Sequence, residues 1–264
     1  MDGIAKSTSR PVDSAHAESH AGLLASVAES PPLLSVTGLS KRYDDQIAVT
    51  DISFTVSAGE VVGLIGPNGA GKTTLLELIT GLLPADAGAI ERYGVPLAQR
   101  HRREAIFYLP DGIRPYEEQR VAHVLAFFAD VYRRPSIHIA EIIAVLGLDA
   151  SLNKRVRSLS KGYARRLMLA LGFLAPQPLL LMDEPFDGFD LRQTRDIAQV
   201  LRRNAQSGRT LVLAIHQLSD AERVCDRFVL LSEGRVRGAG TLGELRAHVG
   251  KPTASLEDIF LALT

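Results

Sequence analysis

The spacing of apolar and polar positions changes several times along the chain, and each change predicts an element. Leu34-Ser35-Val36-Thr37 alternates and stops at Gly38, as a half-buried strand does. A second alternation runs from Ile47 to Val56, with Ile52, Phe54 and Val56 on one face. Val61-Val62-Gly63-Leu64-Ile65 is almost continuously apolar, which predicts a strand covered on both faces. A glycine-rich segment follows, then a helix from Lys72 to about Leu82. Further strands are expected at Ala105–Leu109, Leu179–Met182, Thr210–Ile215 and Phe228–Leu231. Helical spacing marks Val121–Tyr132, Ile137–Leu148, Ser160–Leu174, Leu191–Ala205, Leu218–Val224 and, as an amphipathic cover, Leu256–Leu263. Strands alternating with helices predict parallel βαβ units and an α/β fold. The stretch from about 112 to 175 is mostly helical and reads as an inserted subdomain. Residues 1 to about 32 are rich in Ala and Ser, lack a sustained apolar period and end at Pro31-Pro32. They are expected to form a disordered tail, leaving 33–264 as one domain.

Composition narrows the classes. Among 264 residues, 30 Lys+Arg balance 30 Asp+Glu, so bulk attraction to nucleic acid is not expected. A hydrophobic share of 46% is enough for a sizeable core. The single Cys225 excludes an intramolecular disulfide and a thiolate-cluster metal site; a packed thiol is expected. The longest uncharged run, Leu167 to Met182, is broken by Pro176 and Pro178 and falls short of the ~20 residues of a spanning helix.

Gly66-Pro67-Asn68-Gly69-Ala70-Gly71-Lys72-Thr73 matches G-x-x-x-x-G-K-[ST], between a buried strand and a helix. Glycines let such a loop curl until its N–H groups surround a triphosphate, and the helix N-terminus adds its positive end. Lys72 is placed to reach the β and γ phosphates and the Thr73 hydroxyl to ligate Mg²⁺; the loop alone leaves kinases, GTPases, helicases and transport ATPases open. Thr74 closes the loop. Leu179-Leu180-Leu181-Met182-Asp183-Glu184 is an apolar strand ending in two acids, at the end of a parallel sheet where ligands bind. Asp183 is assigned to Mg²⁺ and Glu184 to the attacking water. Ser160 starts a helix that carries Arg165 and Arg166; taken alone it reads as a plain N-cap, and with the Gly162 backbone it also suits an anion-binding helix start.

With these residues in order, the chain resembles the ATP-binding cassette family. Leu159-Ser160-Lys161-Gly162-Tyr163 is similar to that family's L-S-G-G-Q signature, with Lys161 and Tyr163 as departures. The resemblance covers about Leu33 to Thr264. It implies a mostly parallel P-loop NTPase (RecA-like) core, an N-terminal antiparallel β subdomain and an inserted helical subdomain. Tyr43 matches the family's adenine-stacking aromatic, His216 its switch histidine, and Gly188-Phe189-Asp190 the loop that crosses to a partner. Asp111, in Tyr108-Leu109-Pro110-Asp111, stands where the family carries Gln. Two readings of Asp111 stay open: an acceptor-only ligand for Mg²⁺, or simply the start of a turn with Gly112.

The resemblance further implies an ATPase subunit that dimerises around ATP, as a homodimer of cassettes facing head to tail. Ser160, Lys161 and Gly162 of one chain would then complete the Gly66–Thr74 site of the other. Such a subunit powers transport through a separate multi-span membrane permease, with exporter-type permeases the nearest in kind. It would lie on the cytoplasmic face of the membrane and bind no nucleic acid. The permease is expected to dock beside Asp111, on Gly112–Gln119. The alternatives are a mechanical ATPase acting on ribosomes or DNA, and a non-hydrolysing regulatory module. Plainer expectations are that Phe127, Phe128 and Val131 are subdomain core, that Arg100-His101-Arg102-Arg103 is a solvated helix face, and that the basic stretch Lys154–Arg166 assists phosphate binding.

Overall fold

The computed structural model describes residue 1 and residues 31–264. The expected disordered tail therefore lies almost wholly outside the described residues. In chain order the strands and helices are β1 (Leu34–Tyr43), β2 (Gln46–Val56), β3 (Val61–Ile65), α1 (Lys72–Thr80), β4 (Ala87–Arg92), β5 (Val95–Pro96), α2 (Arg102–Ala105), β6 (Ile106–Leu109), α3 (Val121–Val131), α4 (Ser136–Leu146), α5 (Lys161–Leu174), β7 (Leu179–Asp183), α6 (Leu191–Gln206), β8 (Thr210–Ile215), α7 (Leu218–Val224), β9 (Arg227–Ser232), β10 (Arg235–Gly240), α8 (Leu242–His248) and α9 (Leu256–Leu263).

Two sheets form. The order β2-β1-β4-β5 is antiparallel throughout. The order β10-β9-β3-β8-β7-β6 is parallel except at its β9–β10 edge. The continuous apolar runs of β3, β7 and β8 are explained by cover on both faces, since every residue of these three strands is buried. Their alternate residues feed two cores. Val61, Ile65, Leu180, Met182, Leu211 and Leu213 pack with the helical segment, with α6 and with α7. Val62, Leu64, Leu179, Leu181, Val212 and Ala214 pack with α1 and the antiparallel sheet. Parallel strands put their carboxyl ends on one edge, which gathers the loops after β3, β6, β7 and β8 there.

Four elements went unread in the sequence. β4, Ala-Gly-Ala-Ile-Glu-Arg, buries only Ile90 and owes its strand form to pairing with β1, Val36 opposite Ile90. β5 and β10 are short, glycine-flanked edge strands, and α8 is a seven-residue helix behind a Thr241–Glu244 capping box. Three expectations also change. On α3 the inner stripe is Val121, Val124, Leu125 and Ala129, so Phe127 and Val131 fall on the outer face and are exposed, with Phe128 at the margin. Arg102 is not part of a solvated face: it is half-buried and donates to the Leu78 and Leu97 carbonyls. Within the basic stretch, Arg155 and Arg157 are engaged by Glu118 rather than directed at a phosphate site. Cys225 is buried, as a packed thiol should be, and burial pushes its thiol far up. Among the described residues, no helix is long and apolar enough to cross a membrane.

Candidate functional site

The loop between β3 and α1 curls back on itself. Gly71 holds φ 98° as the N-cap of α1, and a Cβ there would lie 2.7 Å from the Ala48 carbonyl oxygen. At Gly66 a Cβ would fall 2.3 Å from the Leu231 oxygen. Glycine is thus required at both positions by close backbone approach. Ala70 is buried, and its N–H donates to the Pro67 carbonyl at 3.2 Å. The Lys72 ammonium is buried inside the curl, where it donates to the Gly66 and Pro67 carbonyls at 2.8 and 3.2 Å.

Four further groups converge on this loop. Thr73 donates its hydroxyl hydrogen to Asp183 Oδ2 at 2.6 Å. Glu184 lies 3.8 Å from Lys72 Nζ and is joined to His216 Nδ1 across 2.6 Å. Glu184 has φ 49°, an uncommon value for a side-chain-bearing residue, held by its N–H bond to the Ala214 carbonyl at 3.0 Å. Burial raises the Asp183 carboxyl above the usual carboxylate range, while the Thr73 hydroxyl and Lys72 draw it down. Burial also raises Glu77, with the Asp183 charge adding to it.

Gly71, Lys72, Thr73, Asp183 and Glu184 line a cleft of about 440 Å³, together with Tyr43, Asn68, Gly69, Thr74 and Asp111. Gln46, Ile47 and Ala48, from the β1–β2 hairpin, complete its wall and were not singled out in the sequence. The available signal was Ile47, an apolar residue near a turn that is 55% exposed. Gly66 and Pro67 enter through their carbonyls, and Ala70 through its backbone, rather than by lining the cleft. His216 reaches the cleft only through Glu184.

Ser160, Lys161 and Gly162 are not brought to this cleft. They line a second one, also about 440 Å³, with Gly147, Tyr163, Arg166, Gly188 and Gln193. Ser160 caps α5 by accepting from the Tyr163 N–H at 3.4 Å, and Lys161 pairs with Asp187 at 2.6 Å. Asp111 does begin a turn, and its carboxylate takes a bond that neither sequence reading foresaw, from the buried guanidinium of Arg165. The first cleft offers the backbone of a glycine loop at a helix N-terminus and an ammonium for an anion. Beside it stand hydroxyl and carboxylate oxygens for a hard cation, and a Glu–His pair for handling a water.

Comparison with known proteins agrees with this chemistry. The family profile described as ABC transporter matches residues 49–187. ABC-type transporter ATP-binding protein EcsA of Bacillus subtilis (strain 168) is 34% identical over 238 residues, covering 88% of this chain and 96% of that protein. Nod factor export ATP-binding protein I of Rhizobium sp. (strain N33) is 35% identical over 224 residues, covering 82% of this chain and 74% of its own. A solved structure described as the ATP binding subunit of an ABC transporter superposes with a TM-score of 0.79 at 33% identity, over 88% of this chain and 99% of that one. The chain belongs to the ABC transporter family, as an ATP-binding, ATP-hydrolysing subunit of a transporter that dimerises and works with a membrane permease.

Proposed function

We propose that two copies of this chain close head to tail on two ATP molecules and hydrolyse them with Mg²⁺, driving export through a separate permease in the cytoplasmic membrane. The observation that carries this reading is the division of the phosphate-binding groups between two clefts of one chain. Lys72, Thr73, Asp183 and Glu184 stand in the first, and Ser160, Lys161 and Gly162 in the second. A second copy, turned about a two-fold axis, supplies to each first cleft the donors it lacks. The name of the Nod factor export relative supports the outward direction.

In the first cleft Tyr43 stacks on the base, and the backbone of Gly66, Pro67, Asn68, Gly69, Ala70 and Gly71 cradles the phosphates. Lys72 exchanges its loop carbonyls for phosphate oxygens. Thr74 completes the cradle. The residues present suit Mg²⁺. Thr73 and Asp183 already hold two hard oxygens 2.6 Å apart, and Asp111 offers the carboxylate oxygen that Arg165 does not engage. Mg²⁺ typically takes one or two carboxylates and completes its shell with water and phosphate. When bound, it neutralises charge on the transferring phosphoryl group. Glu184 orients the attacking water, and His216 holds the Glu184 carboxylate and senses the γ-phosphate.

Permease docking is assigned to the face beside Asp111. There Ile113 and Tyr116 are exposed, Tyr116 packs edge-on to Phe127 at 5.8 Å, and an apolar cleft of about 300 Å³ opens between Tyr116, Gln119 and the α3 residues His123, Val124 and Phe127. Glu118, on the same segment, pairs with Arg155 and Arg157. Phe127→Glu is expected to abolish co-purification with the permease and to leave ATP affinity within about twofold. Retained co-purification would remove this face from the interface.

The dimer reading is tested with Glu184→Gln. In ATP and Mg²⁺ this variant is expected to elute as a dimer and to turn over at least about 100-fold more slowly than wild type; in ADP it should elute as a monomer. A monomer in both nucleotides would overturn the two-copy site.

A further inference from the structure

Arg165 lies in the second turn of α5, and its side chain runs away from the signature cleft into the protein. The residue is 7% exposed, so its charge needs a partner. The guanidinium donates to the Asp111 carboxylate through Nη2 and lies 3.5 Å from the Asp183 carbonyl through Nη1. Asp111 is half-exposed and lines the nucleotide cleft with Lys72, Thr73, Asp183 and Glu184. One fixed cation thus stands behind the carboxylate that replaces the neutral amide expected at this position.

The electrostatic problem is plain. The γ-phosphate adds negative charge to a cleft that already contains Asp183 and Glu184, so an unpaired third carboxylate would repel it. Fixed charges at such separations interact appreciably in a partly dry site.

We propose that Arg165 is a specificity-determining positioning residue: by pairing with Asp111 it cancels that carboxylate's charge and lets the cleft accept a triphosphate in preference to a diphosphate. The pair is a charge-compensated substitute for a neutral amide. It also ties α5, and so the signature cleft, to the nucleotide cleft by an ion pair. This rests on the nucleotide reading of the first cleft.

The experiment measures ATP and ADP affinities by calorimetry in EDTA, with the full-length chain. Arg165→Gln leaves Asp111 uncompensated, so ATP affinity is expected to fall about tenfold and ADP affinity by no more than about threefold. Asp111→Asn leaves the cation uncompensated and should move the ATP-to-ADP preference the other way. The double variant Asp111→Asn/Arg165→Gln is neutral and should return it to within about twofold of wild type. A purely structural ion pair predicts equal losses for both nucleotides in each single variant. An unchanged ATP-to-ADP ratio in Arg165→Gln, or a double variant as weak for ATP as that single, overturns the proposal. Where Arg165→Gln does not fold, Asp111→Asn decides alone, and a wild-type ratio there is also fatal. Wild-type protein that binds neither nucleotide would instead sink the underlying nucleotide reading.

Discussion

The two clefts have similar volumes and opposite chemistry. In the nucleotide cleft nearly every charged group already has a partner: Lys72 with loop carbonyls and Glu184, Thr73 with Asp183, Glu184 with His216, Asp111 with Arg165. The signature cleft is lined by two cations, Lys161 and Arg166, a capping hydroxyl and glycines, with no acid among its lining residues. The first is a site assembled in advance, whose ligands must be exchanged for phosphate. In the second, Lys161 is held by Asp187 and Arg166 by the Leu146 carbonyl, so a donor surface with no acid in its lining must also trade partners to meet a phosphate. Helix α5 belongs to both: its N-terminus forms the signature cleft, and its Arg165 reaches the nucleotide cleft.

The largest effect is expected when one cleft is damaged in each of two chains. Lys72→Ala and Ser160→Arg are each expected to lower ATPase activity by at least about 100-fold. Ser160→Arg should leave ATP affinity within about twofold, because its own nucleotide cleft is intact. An equal mixture then forms mixed dimers with one whole composite site. Activity should return to about a quarter of wild type, the share for random pairing and independent sites. No recovery on mixing would mean that each chain completes its own site.

A smaller effect tests how α5 is held between the clefts. The carbonyls at its C-terminal end run short of backbone donors, the capping Ala175 N–H being shared between Leu171 and Gly172 at 3.1 and 3.2 Å. Arg134 donates to the Leu174 and Ala175 carbonyls at 2.8 and 3.0 Å, and Arg209 donates to Gly172 at 2.9 Å and to Ala175. Burial, with Arg134 nearby, lowers the Arg209 guanidinium to about 10. Arg209→Leu removes the Gly172 bond and one Ala175 bond, and is expected to cost about 2 kcal/mol. That corresponds to a fall of roughly 4–8 °C in Tm. An unchanged melting temperature would show that Arg134 alone suffices.

The sequence was most informative where a single chain segment carries both the strand and the chemistry. Val61–Ile65 with the following glycines, and Leu179–Glu184, are contiguous, and their meaning survives without knowing the neighbours. Legibility failed where pairing decides. Ile90 became a strand residue because Val36 lies opposite it. Arg165 was visible as a basic residue near Ser160, but nothing local says that it turns inward to meet a carboxylate 54 positions earlier. Phe127 misled for a related reason: helical period identifies a face, and which face is inner is set by packing against β-strands and helices far along the chain.

The smallest effect concerns the rim of the nucleotide cleft, where Tyr43 ends β1. Asp86 accepts from Lys41 Nζ at 2.8 Å and from the Arg42 N–H at 2.7 Å, fixing the backbone just before Tyr43. The Lys41 hydrogen bond, helped by the Arg42 N–H, holds the Asp86 carboxyl below the usual range. Because the folded value is depressed, the contact contributes fully above the unfolded carboxylate pKa of about 3.9 and is lost as pH falls through the lower folded value. The group is solvent-exposed, so its effect on global stability is screened and small. Its consequence belongs to Tyr43: Asp86→Ala is expected to weaken ATP binding by about twofold at pH 7, through the rim rather than the phosphates. Inorganic phosphate competition should be unaltered, since Lys72 and the glycine loop are untouched. A loss shared equally by ATP and inorganic phosphate would place the effect of Asp86 in the loop, and would join the rim to the preassembled part of the cleft.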